Sequence, residues 1–280
     1  MVTTGEFAAI RGAGFEPVGQ AFGAAVYAAG SASASSCPGA WVSAGEPEPF
    51  GPLAQAMYQA RRAAIDRMAI ECAQLGGHGV VGVRLSQGML PFGGLQFTAI
   101  GTAVRAPGVA SGQRAPFTCD VSGQDFAKLI TAGWIPVGLA FGISIGSRHD
   151  DWTTARQARW GMRNAEVSGW TELVNRSWHH ARRRLEGEVK RLGADGVVLT
   201  DMRMRVRARD CPVTTGSRDH IAEATFAGTA IASFSLSHAG LPGTGLPGTG
   251  LPGTGRGRAG PPLTVMSLDP RRDQAARVRI

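Results

Sequence analysis

Lysine is almost absent. Lys128 and Lys190 are the only two in 280 residues, so arginine supplies nearly all of a formal net charge of +8. Such an excess favours anionic partners in general and says nothing about fold. The arginine skew is what a GC-rich genome produces, so most arginines are expected on solvated faces. An anionic partner held through arginine faces is the lesser reading. Aromatic residues make up 7% of the chain, leaving few rings to stack bases, and no nucleic-acid-reading motif occurs, so nucleic acid is disfavoured. The four cysteines, Cys37, Cys72, Cys119 and Cys211, form no C-x-x-C pair, which excludes a zinc knuckle or dithiol motif. No stretch approaches the roughly 18 continuous apolar residues of a membrane span, and no basic segment followed by an apolar run opens the chain. The expectation is a soluble cytoplasmic protein. Catalytic signatures are missing too: there is no Gly-x-Ser-x-Gly elbow, Walker loop or His-Glu-x-x-His. Nothing points to an enzyme.

What the chain does have is internal similarity. Gly14-Phe15-Glu16-Pro17-Val18-Gly19 through Phe22-Gly23 returns as Gly133-Trp134-Ile135-Pro136-Val137-Gly138 through Phe141-Gly142, an offset of 119. Leu75-Gly76-Gly77-His78-Gly79-Val80-Val81 returns as Leu192-Gly193-Ala194-Asp195-Gly196-Val197-Val198, an offset of 117. Ile100-Gly101-Thr102-Ala103-Val104 returns as Ala227-Gly228-Thr229-Ala230-Ile231, an offset of 127. Three blocks in one order at nearly constant offset argue for a tandem duplication.

Each copy reads alike. A short helix ends at Gly14 or Gly133; in the second copy Ser122 caps it, and Phe126, Leu129 and Ile130 form its apolar face. A strand follows Pro17 or Pro136, then a variable loop, 31–52 or 147–168. Next comes a long amphipathic helix. Leu53, Met57, Ala60, Ala64, Met68, Cys72 and Leu75 recur every three or four residues, as do Val174, Ser177, Ala181, Leu185, Val189 and Leu192. Arg61, Arg62 and Arg67, or Arg182, Arg183, Lys190 and Arg191, occupy the other face. Gly76 and Gly193 stand where a left-handed residue stops a helix. Two strands complete each copy. The fold class is α+β: two tandem β-α-β-β units, each a small, mostly antiparallel sheet on one long helix, plus a disordered C-terminal tail. The boundaries are 1–110, 118–236 and 237–280. Small sheets keep open edges, so self-association into a ring is expected. The tail holds three Leu-Pro-Gly-Thr-Gly copies. They match a sortase signal in form, but the hydrophobic span and export signal it requires are not found, so they read as a spacer.

Leu75-Gly76-Gly77-His78-Gly79-Val80-Val81-Gly82-Val83-Arg84 and Ile100-Gly101-Thr102-Ala103-Val104 resemble the YbjQ-type family, labelled a "putative heavy-metal-binding" domain. The resemblance covers most of 7–106 and, more divergently, 126–234. It implies a dodecin-like β-α-β-β fold, ring-forming self-association and a divalent heavy metal as a possible cofactor. By fold analogy it also implies a small-ligand carrier. The family's asparagine after the helix stop stands here as His78 and as Asp195.

The leading expectation is therefore a non-enzymatic, self-associating binding or scaffold protein, with a heavy-metal-binding protein as the alternative. The densest set of metal-type donors is His149, Asp150, Asp151, His179 and His180, suited to zinc or a similar ion. Adjacent helical residues diverge by about 100°, so His179 and His180 cannot both face one site. His78 and Asp195 are turn or interface candidates. Cys72 reads as a small buried hydrophobe. Cys37, Cys119 and Cys211 are expected as exposed thiols in loops.

Overall fold

The computed structural model describes residues 3–27, 51–90, 94–109, 115–159, 166–211, 215–234 and 265–267. In chain order these form α1 (Thr4–Gly12), β1 (Glu16–Tyr27), α2 (Gly51–Gln74), β2 (Gly79–Met89), β3 (Leu95–Arg105) and β4 (Phe117–Thr118). Then follow α3 (Gly123–Thr131), β5 (Trp134–His149), α4 (Trp152–Arg159), α5 (Ser168–Arg191), β6 (Gly196–Asp210), β7 (Arg218–Ser233) and β8 (Val265–Ser267). The class is α+β, with two four-stranded sheets ordered β1-β3-β2-β4 and β5-β7-β6-β8. No described helix is long and apolar enough to cross a membrane.

The two long helices bury the faces that their spacing marks. Met57, Ala60, Ala64, Met68 and Cys72 of α2 are buried, as are Ser177, Ala181, Leu185 and Val189 of α5. Each helix lies unusually close to its first strand, because a glycine there omits a side chain. A Cβ at Gly23 would fall inside contact with the Ala64 carbonyl and 3.1 Å from the Met68 Cβ. A Cβ at Gly142 would do the same to the Ala181 carbonyl and stand 2.9 Å from the Leu185 Cβ. Gly76 and Gly193, at φ 72° and 67°, end the helices in the left-handed region that side chains disfavour.

The registers of the two sheets correspond. Phe22 pairs with Ile100, and Phe141 with Ala227; the first strand of each sheet is irregular after its proline, at Pro17/Gly19 and Pro136/Gly138. The fourth positions differ in origin. β4 comes from the connection between the halves and runs parallel to β2, whereas β8 runs antiparallel to β6. Of the segment expected as a flexible tail, Val265–Ser267 is the described part and it is this strand; the Leu-Pro-Gly-Thr-Gly copies lie outside the described residues, as do Cys37 and loop residues 31–50. The expected loop 147–168 needs correction: its first three residues extend β5, and α4 follows. Asp151 starts α4, its carboxylate accepting the Thr154 N–H at 2.7 Å.

Layers follow the order sheet, helix, sheet, helix. Alternate residues of β5 point to opposite faces. Ala140 and Gly142 meet α5, while Leu139, Phe141, Ile143 and Ile145 join the core built on α2. α2 is thus covered on both sides and α5 on one. The connection stitches the halves together: Thr118 accepts the Leu139 N–H at 3.1 Å, and Asp120 accepts hydroxyl hydrogen bonds from Thr200 and Thr229. Burial raises the Asp120 carboxyl above its ordinary range despite those hydroxyls. α1 and α3 pack together, with Ile10, Phe126 and Leu129 in one core.

Candidate functional site

With its side chains a helix is about 10–12 Å across, little more than the span of three strand axes about 4.8 Å apart, so its placement decides which strands it covers. α2 lies mainly over β1 and β3, so the β2 side of sheet 1 needs another cover. Phe141 and Ile145 supply it. They line a cavity of 640 Å³ with Leu53, Met57, Leu85, Leu95 and Phe97 of the first half. Arg203, Arg205 and Arg207 of β6 line the same cavity, with Asp201 and Glu223 among them.

Several arginines expected on solvated faces are engaged instead. Arg62 pairs with Glu188 across the two long helices, Arg67 donates to the Ala24 carbonyl, and Arg61 lies 4.9 Å from the Phe97 ring centre. The two helices meet at Arg62, while Arg67 and Arg61 meet β1 and β3, and no reading of one helix alone can show either.

Among the described residues no long helix covers the Phe22–Val26 part of the first sheet's outer face, although α1 and α3 bury Val81 and Val104 at its other end. Phe22 is 48% exposed and Val26 55%, whereas Phe141 and Ile145, 119 residues on, are 2% and 3% exposed.

A second candidate lies at the far end of sheet 2. Register places His149 opposite Asp219 and Arg209 opposite Asp219. His149 Nδ1 stands 2.8 Å from Asp219 Oδ1, and donor atoms of His149, Cys211 and Asp219 all lie within 4.8 Å of one another. Asp219 is fully buried, an expensive place for a carboxylate unless it is paired. The Arg209 guanidinium, 3.4 Å away, and His149 both serve it. One residue along the strands a second pair is crossed: His220 Nε2 meets Asp150 Oδ2 at 3.1 Å. Trp170 Nε1 donates to the other Asp150 oxygen at 3.1 Å, and the Trp170 and His220 rings are 4.6 Å apart. Strand alternation puts this pair on the α5 side of the sheet and the first pair on the other side.

Of the five donors expected from sequence, the structure brings His149 into the cluster with Cys211 and Asp219. Asp150 belongs to the crossed pair. Asp151 caps α4 and pairs with Arg148. His179 and His180 lie on α5 about 14 Å beyond Trp170 by helical rise. Asp219 and His220 were not anticipated. The mirrored dipeptides His149-Asp150 and Asp219-His220 were the available signal, because antiparallel pairing sets one against the other. Cys119 and Cys211, expected exposed, are buried, and burial pushes the Cys119 thiol up to about 12. Both belong to paired segments rather than free loops: Cys119 N–H bonds Val80, and Cys211 N–H bonds Ser217.

His78 and Asp195 do the same task in each half. His78 Nδ1 accepts the Ala106 N–H at 3.0 Å, and Asp195 accepts the Ser233 N–H at 2.8 Å. Cys72 is buried, bonds the Gly79 carbonyl at 3.3 Å, and is raised by burial to about 11.

Residues 42–107 match the family model described as "Putative heavy-metal-binding". Among the described residues of that segment no three metal-type donors converge; the convergent group is in the other half, where sulfur, nitrogen and oxygen donors suit a borderline ion. The chain is also 34% identical over 201 residues to an encapsulin nanocompartment protein of Mycobacterium tuberculosis, covering 69% of this chain and 72% of that protein. No solved structure matches significantly. With that identity and coverage, the chain belongs to the family of the Mycobacterium tuberculosis encapsulin nanocompartment protein.

Proposed function

We propose that this protein is a non-enzymatic, self-associating scaffold built from two tandemly duplicated YbjQ-like units, at 1–110 and 118–236, that assemble into a ring. The carrying observation is the contrast between Phe22 and Phe141. The Phe141–Ile145 part of one sheet is covered by a long helix of the same chain, and the corresponding Phe22–Val26 part of the other is exposed. The matching registers and the paired glycine approaches support the duplication. The family relative named for a nanocompartment is consistent with an assembling protein. Negative-stain electron microscopy of the purified full chain tests the reading. Uniform closed particles larger than a single chain are expected; particles of single-chain size at every concentration contradict it.

The His149, Cys211 and Asp219 group favours a second reading, binding of a zinc-like ion. These residues would hold the ion, the thiolate and carboxylate supplying two negative charges against its two positive ones. Elemental analysis of purified protein decides it. Bound metal lost in Cys211→Ser is expected; metal content unchanged by that substitution rejects the site.

A further inference from the structure

We infer that a second copy of this chain docks its Phe22 and Val26 into a groove on the second half of the first, head to tail. The contact between copies would repeat the one made within a chain. This rests on the self-association reading above and specifies its surfaces.

Within one chain the contact has two sides. Phe141 and Ile145 project from β5; Leu53, Met57, Leu85, Leu95 and Phe97 receive them where α2 leaves sheet 1 uncovered. Both sides have counterparts at matching positions in the other half. On the first half the projecting residues are Phe22 and Val26, roughly half exposed. On the second half the receiving positions, 117 residues after Met57, Arg61 and Leu85, are Val174, Trp178 and Met202. α5 covers β5 and β7 as α2 covers β1 and β3, and β6 is left beside it. Met202 and Val206 are accordingly 53% and 49% exposed. Register places both on the α5 face, opposite Phe226 and Ala222.

A projecting patch at one end and a receiving groove at the other make a heterologous contact, which closes into a ring when the rotation allows. A two-fold contact would instead bring like surfaces together. The geometry within the chain, where the second half's patch meets the first half's groove and not the reverse, follows the first pattern.

Two single substitutions separate these cases. Phe22→Asp removes the projection and Met202→Asp blocks the groove. Both sites face solvent in one chain, so circular dichroism and thermal unfolding should match the parent. Each variant alone should weaken assembly by at least about 10- to 100-fold. An equimolar mixture should restore one contact and give a species of twice 29.2 kDa. Variants that assemble like the parent overturn the docking surfaces while leaving self-association standing. A parent that stays at 29.2 kDa removes the self-association reading itself. Should either aspartate disturb folding, Val26→Cys and Met202→Cys, mixed and oxidised, replace them. A covalent heterodimer is expected, and its absence from an assembling mixture overturns the docking.

Discussion

Tyr58 of the first half closes the free edge of β5, its hydroxyl accepting the Ile143 N–H at 2.8 Å. The same hydroxyl donates to the Phe141 carbonyl at 3.2 Å, and Arg184 of α5 reaches the Ile143 carbonyl at 2.6 Å. On the β1 edge, groups are met from α2: Glu71 accepts the Phe22 N–H at 2.6 Å and Arg67 donates to the Ala24 carbonyl. Both edges are therefore occupied by helix side chains, which blunts strand-to-strand pairing. At the opposite edges β4 meets β2 only at Gly79 and Val80, and β8 meets β6 only from Gly196 to Val198.

Tyr58→Phe keeps the ring and strips both hydrogen bonds. Leaving the Ile143 N–H without its acceptor costs about 1–3 kcal/mol. Urea denaturation should show a lower midpoint with an unchanged slope.

Gly142→Ala forces a methyl group against the Ala181 carbonyl and Leu185. Backbone on the far side cannot yield as a flexible side chain would. Overpacking of this kind costs about 1–3 kcal/mol or more, and the thermal midpoint should fall. Gly23→Ala, against Ala64 and Met68, should behave alike.

His78→Ala and Asp195→Ala each remove the acceptor for a backbone N–H, from Ala106 and Ser233 respectively. Each should lower stability by about 0.5–1.5 kcal/mol. Asparagine at either position supplies an acceptor and should restore most of the loss, measured by the same unfolding curves.

The helix faces, the glycine stops and the paired strands were legible because spacing and repetition encode them directly. Met57, Ala64 and Met68 had to share a face, and Gly193 had to end α5. The loop at 147–168 was misread because Arg148, His149 and Asp150 look polar and turn-like; a long partner strand, β7, is what holds them extended. The cluster at Asp219 depends on pairing across about 70 residues, which local pattern does not reveal. The pairing of Arg62 with Glu188 depends on how one half meets the other, and that is a property of packing rather than of either helix.

Cys72 and Cys119 ionise only at about 11 and 12 in the folded chain, chiefly because burial disfavours the thiolate. A thiol in the unfolded chain ionises near its ordinary value of 9.0. The unfolded state therefore releases its protons first as pH rises, so stability is full below about pH 9 and declines through pH 11–12. At pH 8 a thiol reagent should leave both residues unmodified in native protein and label both after denaturation, as read by peptide mass spectrometry.

Sedimentation equilibrium of the full chain across a concentration series tests the proposal that another copy covers the exposed Phe22 and Val26. A mass that is an integer multiple of 29.2 kDa is expected, falling on dilution or in Phe22→Asp. A constant 29.2 kDa across the series would contradict it.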